Sequence, residues 1–382
     1  MNIIIVMDSL KGSLSSLEAG RAVADGIKKV YPTSNIYIRP LADGGEGTVE
    51  ALTYGMGGIL KQLKVTGPLG TPVMCTYGII SESQTAIIEI SGAAGITLVA
   101  ANKRNPLFTT TYGVGEVIKD AILAGCRHFL VGIGGSATND GGIGMLQALG
   151  YGMLNSQGKQ VSFGAQGLAE LKTITDTNVL PQLKECSFRI ACDVTNPLCG
   201  EQGCSAIFGS QKGATEPMIK EMDQWLAYYA ALAKEKYPKS DSEQAGTGAA
   251  GGLGFAFLTF TNATLESGVK IVLEETKLES YIKNADFVVT GEGRLDSQTV
   301  MGKAPIGVAK TAKKYGKPVI AFSGCVTADA VICNKEGIDA FFPILRNITT
   351  LEEAIKPENA SQNITDTSEQ VFRLIHTMCT KI

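Results

Sequence analysis

The sequence predicts an α/β fold in which a discontinuous parallel-sheet domain carries a large inserted second α/β domain. Apolar, β-branched strands alternate with helical patterns at both ends of the chain, which is typical of a mostly parallel sheet covered by helices. The 382 residues, 44% of them hydrophobic, are enough for two cores. The pattern changes at the turn-rich residues 67–72 and returns near Ala285. We therefore predict a first domain over residues 1–67 and 285–382 and an inserted, mixed α/β domain over residues 68–284.

The chain begins with a strand, a helix and a second strand. The β-branched run of residues 2–6 predicts the first strand. Ser13 or Ser15 can cap the following helix, because apolar residues then recur at helical spacing over residues 17–27. Residues 35–38 predict the second strand, so a β-α-β unit opens the chain.

The rest of the chain predicts further strands and helices. Residues 73–80 and 85–90 predict alternating strands of the inserted domain. Residues 245–265 carry no charge, but five glycines and four threonines dilute their hydrophobicity, which favours a buried glycine-rich loop and a packed helix over a membrane span. A final β-α-β series is predicted over residues 287–323, and residues 346–382 predict a closing helix without visible chemistry.

Composition limits the partners of the protein. The net charge of −3 provides no basic field for nucleic acid and no polybasic membrane patch, so small molecules are the expected partners, with a homo-oligomer left open. Nine cysteines without a C-x-x-C pair and only two histidines argue against zinc and disulfides. The apolar run before Asp8 lacks a basic n-region and a cleavage site. We therefore expect a cytoplasmic protein.

Five of the predicted strands stop at a short segment that combines a carboxylate with small residues. In open α/β sheets the ligand lies outside the carboxyl ends of the strands, where such carboxylates converge. Several converging acids suggest a metal-bound polyphosphate. The carboxylates concerned are Asp8, Asp43 with Glu46, Asp140, Asp193 and Glu292.

The richest segment is the glycine-rich loop of residues 132–144, between a predicted strand and a helix. Glycines allow close backbone approach, and hydroxyl and backbone N–H donors suit a phosphate. A plain strand-to-helix turn is the alternative. The loop is not a Walker A motif, which is absent from the sequence. The candidate phosphate-binding residues are Gly134, Gly135, Ser136, Thr138, Asn139 and Asp140.

A second cluster joins carboxylates to cations. Glu292 and Asp296 are candidate Mg²⁺ ligands, and Arg294 and Lys303 could neutralise a transferring phosphoryl group. A structural ion-pair network is the alternative. Glu292 follows a buried-looking strand rather than a polar helix face, which favours the functional interpretation.

Two further segments carry candidate ligand groups near the start of the chain. Asp8, Ser9 and Lys11 precede a helix N-terminus, where Lys11 could reach a phosphate or carboxylate; a solvated lysine is the alternative. Asp43 and Glu46 could hold Mg²⁺, although an Asx-turn explains Asp43 nearly as well.

The inserted domain offers a candidate base. Asp193 directly follows a predicted strand and could accept a proton from a substrate hydroxyl, while a turn-capping aspartate is the alternative. Gln211 and Lys212 are candidate polar anchors for substrate or phosphate, and residues 246–254 supply a second glycine-rich loop.

Taken as an ordered set, these segments resemble the bacterial type I glycerate kinases from Met1 to about Phe342. Family members usually show phenylalanine where Leu10 stands and proline where Ser210 stands. The segments that carry the resemblance are residues 8–15, 41–48, 132–142, 192–198, 246–254 and 290–299.

The resemblance implies ATP-dependent phosphorylation of D-glycerate with Mg²⁺, on a flavodoxin-like domain with a large insertion and a site between domains. Within it, local chemistry suggests Asp193 as base, Glu292 and Asp296 as metal ligands, and Lys11 and Arg294 toward phosphate or the glycerate carboxylate. A kinase or phosphatase acting on another hydroxy acid and a non-catalytic sensor stay open. The sequence does not say whether the 2- or the 3-hydroxyl is phosphorylated.

Overall fold

The computed structural model of the chain describes residues 1–41, 47–301 and 303–379. The strands are β1 Asn2–Met7, β2 Asn35–Ile38, β3 Ile59–Thr66, β4 Pro72–Ile80, β5 Thr85–Glu89, β6 His128–Gly132, β7 Gly152–Leu154, β8 Thr173–Thr175, β9 Ser187–Ala191, β10 Ala263–Glu266, β11 Phe287–Leu295, β12 Val319–Val326 and β13 Ala340–Pro343. The helices are α1 Ser16–Lys28, α2 Thr48–Gly55, α3 Ser91–Ala94, α4 Tyr112–Leu123, α5 Ile143–Ala148, α6 Gln166–Glu170, α7 Cys204–Phe208, α8 Glu216–Lys236, α9 Ala249–Phe260, α10 Gly268–Glu275, α11 Leu278–Lys283, α12 Ala304–Lys313, α13 Ile332–Lys335, α14 Leu351–Ala354 and α15 Pro357–Cys379.

The chain divides into two compact units. The first lies within Met1–Asp43, Tyr54–Met56 and Val269–Ile382, and the second within Gly44–Thr53 and Gly57–Gly268.

These bounds differ from the predicted domain bounds at three segments: residues 47–53 and 57–67 lie in the second unit, and residues 269–284 lie in the first. Strand β3, placed by the sequence in the first domain, pairs antiparallel with β4 in the second unit. Residues 67–72, which suggested a domain junction, are the turn of this hairpin, closed by a bond from Gly67 N to Thr71 O of 2.7 Å. Helix α11, placed by the sequence in the insertion, lies in the first unit.

The first unit contains a five-stranded sheet in the order β13-β12-β11-β1-β2. All its pairings are parallel. Numbered along the unit, this is the 2-1-3-4-5 order of a flavodoxin-like fold, so the predicted fold class is confirmed. Ile3, Ile5, Val289 and Phe322 form the sheet side of one core, which Phe372 of α15 completes. The sheet order reverses between β1 and β11, which makes the carboxyl ends of these strands the expected ligand position.

The second unit contains a six-stranded mixed sheet in the order β10-β9-β6-β5-β4-β3. Strands β5, β6, β9 and β10 run parallel to one another, whereas β4 is antiparallel to both of its neighbours, β3 and β5. Its core includes Phe129 stacked on Phe188 with ring centroids 4.6 Å apart. Strands β7 and β8 form a separate two-stranded sheet.

The uncharged stretch that begins at residue 245 forms a glycine-rich loop and a buried helix, as predicted. Within α9 the backbone leaves the helical region at residues 250–252. At Gly251, with a φ of +68°, an added Cβ would lie 2.0 Å from Thr138 O, so this loop approaches the loop after β6 too closely for a side chain. Across the described residues, none of the helices combines the length and apolar character that crossing a membrane requires.

Helix α1 begins as the sequence predicts, with Ser15 rather than Ser13 as its cap. The Ser15 hydroxyl accepts a hydrogen bond from Glu18 N, and the Glu18 carboxylate accepts one from Ser15 N, which together form a capping box. The long C-terminal helix α15 packs on α1, where the Thr365 hydroxyl donates to Ala22 O at 3.0 Å.

Candidate active site

Two carboxylates meet at the switch point of the flavodoxin-like sheet. Asp8 directly follows β1, and Glu292 lies in β11, the neighbouring strand. The backbone of Asp8 bonds to Gly291 O at 2.8 Å. A Cβ at Gly291 would lie 1.9 Å from Phe322 O, so glycine is needed for this close packing of β11 against β12. Asp8 and Glu292 are 8% and 7% exposed, so the fold itself buries two acids at its ligand edge.

A pocket of about 380 Å³ opens at these strand ends. Six residues proposed from the sequence line it together. They are Asp8, Ser9, Lys11, Glu292, Arg294 and Lys303. The lining also includes an aliphatic wall, which is formed by Ile344, Leu345, Leu351, Ala354, Ile355 and Ala360.

The loop after β1 is a tight turn that presents Lys11. Leu10 and Leu14 exchange backbone hydrogen bonds of 2.8 and 3.1 Å, and both side chains are buried. Lys11 lies exposed at the tip of this turn. The Ser13 Oγ is buried and has no hydrogen-bond partner within the described residues, so a ligand in the pocket could bond to it. At the N-terminus of α1, the backbone N–H groups of Ser15 and Glu18 are bonded to side chains of the capping box.

Glu292 sits in a network of hydroxyl and cationic partners. Its Oε1 accepts from Thr299 Oγ1 at 2.8 Å, and its Oε2 lies 3.4 Å from Lys303 Nζ. Asp296 lies 3.9 Å from Lys303 Nζ and 3.2 Å from Arg294 Nε. Burial raises the pKa of Glu292, against the opposing effect of Thr299 and Lys303. An ion-pair network therefore surrounds Glu292.

Ser323 fixes the end of β11 and was not identified from the sequence. Its Oγ accepts a bond from Leu295 N at 3.1 Å and lies 2.9 Å from Glu292 O. These contacts hold the strand on both sides of Gly293, which has no partner in the β11–β12 register. A serine inside an apolar strand gives no sequence signal of this role, because the role depends on which distant strand lies beside it.

The second unit presents its own polar edge. Glu89, Gly132 and Ala191 are in register across β5, β6 and β9, so the segments that follow these residues emerge side by side. Asp193 is exposed just beyond β9, and its Oδ1 accepts from Gly268 N at 3.3 Å. Glu89 was missed, although the same pattern of an acid closing a strand before small residues would have identified it. Its Oε1 accepts from Val49 N at 2.7 Å.

The glycine-rich loop after β6 divides into an outer and an inner part. Gly134 and Gly135 are exposed and can face a ligand, whereas Ser136 is only 8% exposed. The other three predicted phosphate-binding residues, Thr138, Asn139 and Asp140, are fully buried.

The inner residues bind to the protein itself. Asp140 Oδ2 accepts from the backbone N and the hydroxyl of Thr111, each at 2.9 Å. Asn139 donates to Ser205 Oγ at 2.8 Å. Burial raises the pKa of Asp140, although the bonds from Thr111 oppose this effect. These bonds of Asn139 and Asp140 hold the loop, and direct phosphate contact by Thr138, Asn139 and Asp140 stays a prediction that their burial does not favour.

Lys212 supports the same loop from inside. Its Nζ donates to Ser136 Oγ at 2.9 Å and to Thr138 O at 2.7 Å, and the residue is 3% exposed. Burial lowers the pKa of Lys212 to about 8. Gln211, the neighbouring candidate, is exposed. Of these two predicted anchors, only Gln211 has surface to offer a ligand directly.

The buried amine predicts a pH-dependent stability. Because the unfolded chain holds the Lys212 proton up to an ordinary pKa near 10.5, the cost of burying the charge is full below pH 8 and disappears as the pH rises to 10.5. Between these values we expect the unfolding free energy of the parent to rise relative to that of Lys212→Met, by about 1.4 kcal/mol per pH unit. Urea unfolding at several pH values measures the difference.

A matched control exists in Lys234. Its Nζ also donates to two carbonyl oxygens, Pro238 O at 2.8 Å and Ser240 O at 2.6 Å, but the residue is exposed. Lys234→Met should therefore leave the pH dependence of the parent unchanged. An equal pH dependence in the parent and in Lys212→Met would contradict the burial argument.

The four predicted metal ligands fall into two pairs, of which the structure describes one. Asp43 and Glu46 lie outside the described residues. Within residues 1–41, 47–301 and 303–379, no group of three or more His, Cys, Asp or Glu side chains is arranged to hold a metal ion. The metal roles of Glu292 and Asp296 stay predictions.

Known proteins resemble this chain over nearly its whole length. A family model described as the glycerate kinase family matches residues 3–376. A glycerate kinase of Haemophilus influenzae is 47% identical over 98% of this chain and 99% of its own length. The glycerate 2-kinase of Escherichia coli is 46% identical over 97% of each chain. A crystal structure from Salmonella typhimurium LT2, provisionally described as glycerate kinase 2, superposes with a TM-score of 0.92 at 44% identity and covers 100% of this chain and 99% of that chain.

Proposed function

The chain belongs to the glycerate kinase family, and from this premise we propose that it transfers the γ-phosphoryl group of ATP to a hydroxyl of D-glycerate. Glycerate kinase activity is supported by relatives of that name at 45–47% identity over nearly the full length. The observation that carries the chemistry is the pocket at the β1/β11 switch point, which combines two buried acids with three cationic side chains.

The cations of this pocket suit a polyphosphate. Lys11, Arg294 and Lys303 line it and would neutralise charge on the phosphates as the phosphoryl group transfers. Ser13 adds a hydroxyl that has no protein partner in the described part of the chain. The planar Arg294 guanidinium can donate to two phosphate oxygens at once, whereas the two lysines act as point charges.

The acids of the same pocket fit a magnesium ion. Mg²⁺ in kinase sites takes one or two carboxylates together with phosphate oxygens, and Asp8 and Glu292 supply two carboxylates. The raised pKa of Glu292 also indicates a carboxylate whose charge is incompletely balanced by Thr299 and Lys303. When bound, Mg²⁺ would stabilise charge on the phosphoryl oxygens. Asp296, already paired with Arg294, would orient that residue.

Asp193 is our candidate for the base. It is an exposed carboxylate at the end of β9, beside the exposed part of the glycine-rich loop. In this role Asp193 accepts the proton of the glycerate hydroxyl, whose oxygen forms a bond to the γ-phosphorus while the bond from that phosphorus to the β-phosphate oxygen breaks. The products are a phosphoglycerate, ADP and the proton.

We assign the transfer to the 2-hydroxyl, which is supported by the name of the Escherichia coli relative. Phosphorus NMR of a reaction with Mg-ATP and D-glycerate tests activity and position together. The 2-phosphate lies next to one carbon-bound proton and gives a doublet, whereas a 3-phosphate lies next to two and gives a triplet. A triplet would move the assignment to the 3-hydroxyl, and the absence of both an ester signal and ADP would contradict the function.

A further inference from the structure

The lining of the pocket in the flavodoxin-like unit combines two chemical kinds of residue. One kind is polar and comprises the carboxylates of Asp8 and Glu292 and the cations already described. The other kind is the aliphatic wall, of which Leu345, Ala354 and Ile355 belong to the stretch that follows β13, up to the residue after α14. A ligand matched to this pocket must therefore combine an apolar part with an anionic part.

We propose that this pocket is the nucleotide subsite, with the nucleoside of ATP against the aliphatic wall and its phosphates toward Lys11, Arg294 and Lys303. The proposal rests on the proposed kinase function and adds which unit of the chain binds the nucleotide. D-Glycerate would then bind elsewhere.

Size and surface chemistry favour a nucleotide over D-glycerate. Every carbon of glycerate carries an oxygen, so the acid offers no apolar face to six aliphatic residues. A purine ring offers two flat apolar faces, which aliphatic side chains cover at a gain of about 25 cal/mol per Å² removed from water. The pocket volume of about 380 Å³ lies within the range typical of drug-sized ligands and far exceeds what a three-carbon acid fills.

The sheet topology gives an independent reason. In the 2-1-3-4-5 strand order a mononucleotide can bind at the switch point between the first and third strands of the unit, which here are β1 and β11. The pocket is lined by residues at the carboxyl ends of these two strands, such as Ser9 after β1 and Arg294 near the end of β11. This is an analogy of fold, and the aliphatic wall is the observation that makes it specific to this chain.

The wall can be altered without touching the polar residues. Leu345 and Ile355 line the pocket and are 40% and 39% exposed, so replacing both by serine should not disturb the core. Leu374 is a matched control, because it is an aliphatic residue of the same unit, 62% exposed on α15 and outside the pocket lining.

The test compares the full-length parent, the Leu345→Ser/Ile355→Ser variant and Leu374→Ser by titration calorimetry with Mg²⁺. The probes are ADP, which has a nucleoside, and inorganic tripolyphosphate, which has none. In the double variant we expect ADP affinity to fall at least tenfold and tripolyphosphate affinity to stay within about twofold. The KM for ATP should rise in parallel while the KM for D-glycerate stays unchanged, and Leu374→Ser should behave as the parent.

The remaining outcomes separate the two proposals. Unchanged ADP affinity in the double variant, or a rise in the KM for D-glycerate alone, would overturn the nucleotide subsite while the kinase function stood. If ADP bound with the expected sensitivity to the wall but no phosphoglycerate formed, the kinase function would fail and the nucleotide subsite would stand.

Discussion

An Asp193→Asn variant is expected to lose roughly two to four orders of magnitude in kcat at saturating D-glycerate and Mg-ATP, which is the usual contribution of a general base. The substitution separates the two interpretations of this residue. Asparagine keeps a side-chain oxygen that can accept the bond from Gly268 N, so it preserves a turn cap. It removes the carboxylate that could take up a proton. A large loss of turnover therefore identifies chemistry rather than loop shape.

Asp241 supplies the control for this experiment. It is an exposed aspartate whose Oδ1 accepts from Glu243 N at 2.9 Å, so it caps a turn of the same unit. Asp241→Asn should leave kcat unchanged. If Asp193→Asn also kept its turnover within about threefold of the parent, equivalent to less than ~1 kcal/mol of barrier, Asp193 would not be the base.

The fold was largely predictable because its elements carry strong local patterns. The runs that became β1 and the first parts of β11 and β12 are continuous and apolar, which is typical of strands buried on both faces. The domain bounds were harder to predict, for a physical reason. Glycine and proline at residues 67–72 favour any sharp reversal of the chain, so the β3–β4 hairpin turn and a domain linker look alike until strand pairing is known.

Some residues of the candidate site could be predicted from the sequence, and others could not. Residues that directly follow strands, such as Asp8, could be placed from sequence because strand ends of a parallel sheet share one edge. The burial of residues further along the loops could not be predicted from sequence. In the sequence, Asp140 and Lys212 look like polar groups that bind a ligand, yet both are buried. Asp140 accepts hydrogen bonds from Thr111, and Lys212 donates one to Thr138 O, and in each case the partner is distant in sequence. Only the packing of the helices around the loop decides which side of it a polar side chain occupies.

Glu292→Gln is expected to raise the half-saturating Mg²⁺ concentration at least tenfold and to lower kcat. Glutamine has the same shape and can keep an oxygen near Thr299, but it lacks the negative charge that a hard cation needs. The measurement is initial rate against free Mg²⁺ at saturating substrates. Glu279→Gln is the control, because Glu279 is an exposed carboxylate of the same unit, bonded to Tyr315 at 2.9 Å.

The pH dependence of this constant provides a second readout for Glu292. Burial raises its pKa above the usual value, so protons compete with Mg²⁺ for this carboxylate at a higher pH than they would at an exposed glutamate. In the parent, the half-saturating Mg²⁺ concentration should rise as the pH falls toward that raised pKa, and in Glu292→Gln this rise should be smaller. An unchanged half-saturating concentration in the variant would remove Glu292 from the metal shell and leave it as the partner of Lys303, since the ion pair alone gives no reason for sensitivity to magnesium.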